Sequence, residues 1–147
     1  MEAALKEPGG SPYEGETLFT QRCAGCHKLF FKGGIIGPDL TPYQRDNLGT
    51  MLISIVNPNA EIREGFACQI VTTTGGQTIS GYVIERDPRT LRLRTLDGQT
   101  TVLAASEVQS ITPLGRSLMP EGLLDGLTPA QIRDLFAWLR QSQPITK

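Results

Sequence analysis

Two thiols and an imidazole stand together in Cys23-Ala24-Gly25-Cys26-His27. Cysteines three positions apart at the end of a helix can each add to a vinyl group of haem, and the adjacent imidazole then lies under the iron as an axial ligand. This C-x-x-C-H spacing is that of c-type haem attachment. A thioredoxin-like dithiol needs a βαβ context, and a structural zinc needs four closed ligands. The chain offers neither: it has one histidine, and its remaining cysteine, Cys68, lies far downstream. The motif therefore predicts one haem c, covalent through Cys23 and Cys26, with His27 on the iron.

A single histidine leaves methionine, lysine, water or nothing for the sixth position within one chain. A thioether is neutral and soft, favours ferrous iron and raises the potential relative to nitrogen ligation. Met119 lies in the loop Ser117-Leu118-Met119-Pro120-Glu121-Gly122, whereas Met51 lies in an apolar helical stripe, where methionine is usually gap-filling core. An axial histidine also needs an acceptor for its other ring nitrogen, which fixes the tautomer and strengthens the coordinating nitrogen. The Pro38 carbonyl in Ile35-Ile36-Gly37-Pro38-Asp39-Leu40 is the candidate, although a Gly-Pro pair is equally a plain turn.

These groups must be positioned by a chain of 147 residues, enough for one ordinary domain or two very small ones. The net charge of −1 speaks against a polyanion-seeking protein, and no run of eighteen apolar residues offers a membrane span. Met1 to Pro8 lack the apolar core of a signal peptide. Haem is normally attached outside the bacterial cytoplasm, so the expectation is a processed or excised piece of an exported protein, periplasmic or on the outer face of a bacterial membrane.

Residues 1–12 read as a linker, broken by Pro8-Gly9-Gly10-Ser11-Pro12. A helix from about Tyr13 to Cys23 places Gly15, Leu18 and Phe19 on one side and delivers Cys23 to the haem; Gly15 admits a close helix crossing. A second helix, Asp46 to Val56, carries the stripe Leu48, Met51, Leu52 and Ile55 and stops at Asn57-Pro58-Asn59. The period then changes from helical to alternating. Phe66, Cys68 and Ile70 alternate with Ala67, Gln69 and Val71, and turns fall at Gly75-Gly76, Asp87-Pro88-Arg89 and Asp97-Gly98. Residues 62–112 thus predict four or five short antiparallel strands curled into a small barrel or sandwich. Thr128-Pro129-Ala130-Gln131 then starts a last helix, with Thr128 capping, Pro129 in the first position and Gln131 closing a capping box. Ile132, Leu135, Phe136 and Leu139 form its apolar stripe, with Trp138 on the flank.

Gly15 to Leu40, with a glycine and Leu-Phe ahead of C-A-G-C-H and then G-P-D-L, resembles the first half of a class I c-type cytochrome. The resemblance implies that Pro38 is the partner of His27, and that Met119, in a loop ahead of the terminal helix, is the axial methionine; the metal ligands are then His27 and Met119. It implies that the last helix crosses the first near Gly15 and Phe19. It also sets Tyr43 and Arg45 where polar groups meet the haem propionates, though surface positions explain both equally well. The I-V-N-P-N-A-E-I stretch and S-L-M-P-E-G-L-L resemble the haem-binding domain appended to large exported bacterial dehydrogenase-like proteins. The fold expected is α+β: a cytochrome c-like helical domain in two halves, 13–61 and 113–147, split by a β-rich insert at 62–112.

The function this implies is one-electron transfer, non-enzymatic, from a fused or partner dehydrogenase. A labile sixth ligand would instead suit a gas sensor or weak peroxidase, and a third reading makes the domain an assembly module. In the insert, Arg86, Arg89, Arg92 and Arg94 suggest either a docking patch for an acidic redox partner or a solvated strand face. Stacking aromatics are too scarce there for nucleic acid. Cys68 reads either as a cross-linking thiol or as a small buried hydrophobe.

Overall fold

The computed structural model describes residues 2–62 and 65–146. The chain forms two compact units, one made of Met1–Ala60 with Pro120–Lys147 and the other of Glu61–Met119.

In the first unit, residues expected as a linker hold a short helix, α1 (Glu2–Lys6). Ala3, Ala4 and Leu5 are good helix formers, and Leu5 packs on the core, which gives the turn a reason to persist. Helix α2 (Pro12–Arg22) begins where the Ser11 hydroxyl accepts the Glu14 N–H and Pro12 fills the first helical position. After the cysteine motif come two short strands, β1 (Lys28–Leu29) and β2 (Lys32–Gly33), and then helix α3 (Leu48–Val56). Helix α3 starts two residues later than its pattern suggests because the Asn47 side chain accepts the Thr50 N–H at 3.1 Å and caps it there. Helix α4 (Pro129–Leu139) has the full capping box: Thr128 Oγ1 accepts the Gln131 N–H, and Gln131 Oε1 accepts the Thr128 N–H.

Helices α2 and α4 cross at Gly15. A Cβ there would lie 1.9 Å from the Asp134 carbonyl oxygen and 2.8 Å from Trp138 Cβ, so only glycine lets the two backbones approach. Ser11 N–H donates to the Asp134 carboxylate at 2.7 Å beside the crossing. Trp138, assigned to a flank by its spacing, is a core residue: Phe19 of α2 and Phe30 of the hairpin meet its ring edge-on, at 6.4 and 5.6 Å between centroids. Leu29, Leu124, Leu135 and Phe136 complete the centre of this core.

Strands β1 and β2 pair antiparallel through a two-residue turn, Phe30-Phe31, at φ +50° and +69°. Left-handed backbone costs a non-glycine residue roughly 1–2 kcal/mol. For Phe30 the cost is offset, since its ring is buried against Trp138 and the Arg45 guanidinium lies over it at 5.1 Å. Phe31, also left-handed, is 88% exposed.

The second unit is one antiparallel sheet of β3 (Gln69–Thr73), β4 (Thr78–Arg86), β5 (Thr90–Thr95), β6 (Thr100–Ala104) and β7 (Val108–Pro113). The order β6-β5-β4-β3-β7 leaves β6 and β7 as the edges, and bulges at Thr72/Thr73 and Val83/Glu85 interrupt the ladders. Its core is Val71, Leu91, Leu93 and Leu103. Cys68 is buried but lies just before β3, and its carbonyl accepts the Leu114 N–H; within the strand the buried positions are Val71 and Thr73. Alternation read from Phe66 onward thus loses its phase at the strand start, because the chain enters the ladder only at Gln69. The arginine positions are exposed at Arg86, Arg89 and Arg92, half-exposed at Arg94, and Arg92 sits 3.6 Å from Glu85.

Candidate functional site

At the end of helix α2 one carbonyl serves the cysteine motif twice: the N–H groups of Cys23 and Ala24 both donate to Phe19 O. The chain then turns tightly, with the Cys26 and His27 N–H groups donating to Cys23 O at 3.1 and 2.9 Å. Both thiols and the imidazole are thereby held on one short turn. Arg22, next to Cys23, fixes this helix end by donating through Nη1 to the carbonyls of Leu123 and Asp125, each at 2.8 Å. The following loop wraps back on the motif, as Gly34 N–H donates to Ala24 O and Gly37 N–H to Cys26 O, both at 2.8 Å.

His27 Nδ1 lies 2.8 Å from the Pro38 carbonyl oxygen. A carbonyl brings no proton, so Nδ1 carries the hydrogen and donates it, which leaves the lone pair of Nε2 for a metal. Gly37 decides the ring's position: a Cβ there would lie 2.7 Å from Cε1 and 2.9 Å from Nδ1. The sequence marks Gly37-Pro38 as a turn but carries no signal that its glycine is the floor under the imidazole. Nor does it signal Arg22 as the anchor of the motif.

Both motif cysteines are free thiols, Cys26 exposed and Cys23 half-buried. Burial pushes the Cys23 thiol up to about 11; the neighbouring Cys26 adds to this and Arg22 opposes it. A reactive redox dithiol needs a low-pKa thiolate, so the environment of Cys23 speaks against that chemistry. Among the described residues no three His, Cys, Asp or Glu side chains converge as a bare-metal site.

The Arg45 guanidinium donates to the Leu40 carbonyl at 3.0 Å, to Gln141 O at 2.7 Å and to Leu139 O. It therefore covers the free carbonyls at the C-terminus of α4, a helix-capping task that its sequence position does not signal. Tyr43 is 38% exposed on the same connection. Met51 is half-buried against the first unit's core. Met119 is half-buried, with its N–H donating to Ser117 Oγ at 3.1 Å. A cavity of about 230 Å³ lined by Phe19, Ala24, Phe30, Lys32, Trp138 and Ile145 also lies in the first unit, but neither Cys26 nor His27 reaches it.

These residues fit a covalently anchored haem. Two thiols and an imidazole whose Nδ1 faces the Pro38 carbonyl share one turn. In the same unit, Leu48, Met51, Leu52 and Ile55 of α3 form an apolar stripe that the protein only half covers.

Residues 13–81 match the model of the Cytochrome c family, a span that takes in α2, the cysteine motif, α3, β3 and the start of β4. The match supports a c-type cytochrome, and that family implies haem-based electron transfer and covalently bound haem c. No curated protein matches the chain. Among solved structures, a lipoprotein candidate from Pseudomonas syringae, determined by NMR, is 18% identical at a TM-score of 0.29, covering 33% of this chain and 93% of that one. The translational regulator Hfq is 13% identical at a TM-score of 0.31, covering 48% of this chain and 96% of that one. Likenesses this slight bear on neither fold nor function. Among the described residues no helix is long and apolar enough to cross a membrane.

Proposed function

We propose that this chain is an exported mono-haem c-type carrier of single electrons, taking them from a fused or partner dehydrogenase and passing them to a downstream acceptor. The observation that carries the reading is the His27–Pro38 hydrogen bond at the end of a C-x-x-C-H turn, which sets the imidazole proton away from the coordinating nitrogen. Haem, when bound, supplies a ferric/ferrous couple. Cys23 and Cys26 would anchor the porphyrin by thioether bonds, and His27 would hold the iron through Nε2. Pro38 fixes the imidazole's tautomer. Met119 would supply a thioether ligand, which would raise the potential relative to nitrogen ligation. In this reading 13–61 and 113–147 are two halves of one cytochrome domain, and 62–112 is a β-rich insert between them.

The test is the chain produced in a bacterial periplasm with haem-attachment machinery. The pigment is expected to stay with the polypeptide on denaturation, and the ferric protein to show the weak band near the red edge that reports methionine ligation. Met119→Ala should abolish that band and open the ferrous protein to rapid CO binding. Pigment that washes away overturns the haem c reading. CO binding by the parent chain as fast as by Met119→Ala removes Met119 from the iron.

A further inference from the structure

We infer that the tip of the β1–β2 hairpin is the docking point for an acidic redox protein, with Phe31 entering an apolar pocket rimmed by carboxylates. The inference rests on the electron-carrier reading and names the partner's chemistry. Two consecutive phenylalanines occupy the left-handed positions of a two-residue turn, where asparagine or glycine fits without strain. Phe30 has an internal reason to be there, since its ring closes the core over Trp138. Phe31 has none: its ring is 88% exposed, so neither burial nor packing within the chain offsets its conformation. A large aromatic exposed at a turn tip has the form of an interface anchor, contributing much area for little side-chain entropy.

The surroundings specify the partner. From His27 to Ile36 the chain carries two lysines, Lys28 and Lys32, and no acidic residue. Lys28 acts on the Asp39 carboxylate, whereas Lys32, exposed beside the tip, is in no ion pair among the described residues. Ile35, 44% exposed, adds apolar surface in the same loop. A cation next to an apolar anchor matches carboxylates around an apolar pocket. An anionic membrane is the weaker match, because polybasic attraction to lipid needs clusters of four or more cations.

The experiment uses the haem-loaded full chain on gold coated with alkanethiols, either all carboxylate-terminated or mixed carboxylate and methyl. Adsorbed mass is read on a microbalance, and the one-electron wave between the iron and the gold, in which no bond is made or broken, is read by voltammetry. Wild type is expected to reach half coverage at a concentration at least fivefold lower on the mixed layer than on the carboxylate layer. Phe31→Asn should erase that preference while leaving the thermal midpoint equal or higher, because asparagine tolerates the turn. Phe31→Tyr should keep it, and Lys32→Gln should weaken binding to both layers. An unchanged preference in Phe31→Asn overturns the inference. So does Phe31-dependent binding to phosphatidylglycerol vesicles that matches the monolayer effect, which would assign the tip to lipid. A missing wave on every layer, together with no oxidation by ferricyanide, defeats the electron-carrier reading instead, while adsorbed mass still judges the docking chemistry.

Discussion

The imidazole of His27 is held by two neighbours of different kinds, an acceptor in Pro38 and an absence of side chain at Gly37. The acceptor sets the proton; the glycine sets the place. Gly37→Ala would put a methyl group into the ring, push it off the Pro38 carbonyl and deprive the imidazole of that hydrogen bond. Losses of this type weaken metal binding by about 10–100-fold. On the haem reading proposed above, a ligand weakened by that factor yields its iron to acid sooner, so the variant's iron–histidine bond should break about one to two pH units higher than the parent's. Visible titration of the haem-loaded protein reads this directly, and coincident titration curves would show that Gly37 is only a turn residue. Arg45 carries a different lesson. Its place in the sequence suits either a cofactor contact or an idle surface, and the structure instead sets its guanidinium on the carbonyls that end α4. A long flexible cation reaches wherever the fold puts an acceptor, so its task cannot be read from its neighbours in sequence.

At the level of elements, the crossing of α2 and α4 depends on one missing methyl group. Gly15→Ala improves helix propensity by about 1 kcal/mol, but the new Cβ would overlap the Asp134 carbonyl, which is backbone and cannot swing away. Overpacking of this sort costs about 1–3 kcal/mol or more, so packing outweighs propensity and the thermal midpoint should fall; a rise would show that the helices are free to part. In the sheet, two turn carboxyls are expected to contribute a pH response. The Asp87 carboxylate accepts the Arg89 and Thr90 N–H groups at 2.7 and 2.8 Å, and Asp97 accepts the Thr95 hydroxyl and the Gln99 N–H. These bonds hold both carboxyls below the usual carboxylate range, led by the Arg89 N–H for Asp87 and the Thr95 hydroxyl for Asp97. A depressed folded pKa means that the unfolded chain takes up protons first. The contribution is therefore complete above the ordinary carboxylate range and lost as pH falls through it, from about pH 5 downward. Unfolding midpoints measured across that range should decline, and Asp87→Asn with Asp97→Asn should flatten the profile by keeping acceptor oxygens without the charge. An equally steep decline in the double variant would place the acid response elsewhere.

For the whole molecule, the two units have separate cores, one centred on Phe136 and Trp138 and the other on Val71 and Leu93. Within the first unit, Asn59 donates to the Glu121 carboxylate at 3.2 Å, so the two points where the chain leaves and re-enters it are close together. Replacing residues 62–116 with a short glycine-serine bridge should therefore leave a chain that keeps its helical circular dichroism and unfolds cooperatively; loss of cooperative unfolding would show that the first unit needs the sheet. The local signals were strong in the sequence wherever the physics is local: the thiol-thiol-imidazole spacing, the capping box at Thr128, the switch from helical to alternating period, and the turns at Gly75-Gly76 and Asp97-Gly98. What needed the tertiary structure was everything set by distant partners. Trp138 moved from flank to core because two aromatic rings from other elements close on it, α1 formed because Leu5 found a core to rest on, and the buried side of β3 was fixed by strands pairing on both its edges. Caps, turns and motifs are settled within a few residues of backbone, whereas burial and steric exclusion, as at Gly15 and Gly37, exist only once remote segments have been brought into contact.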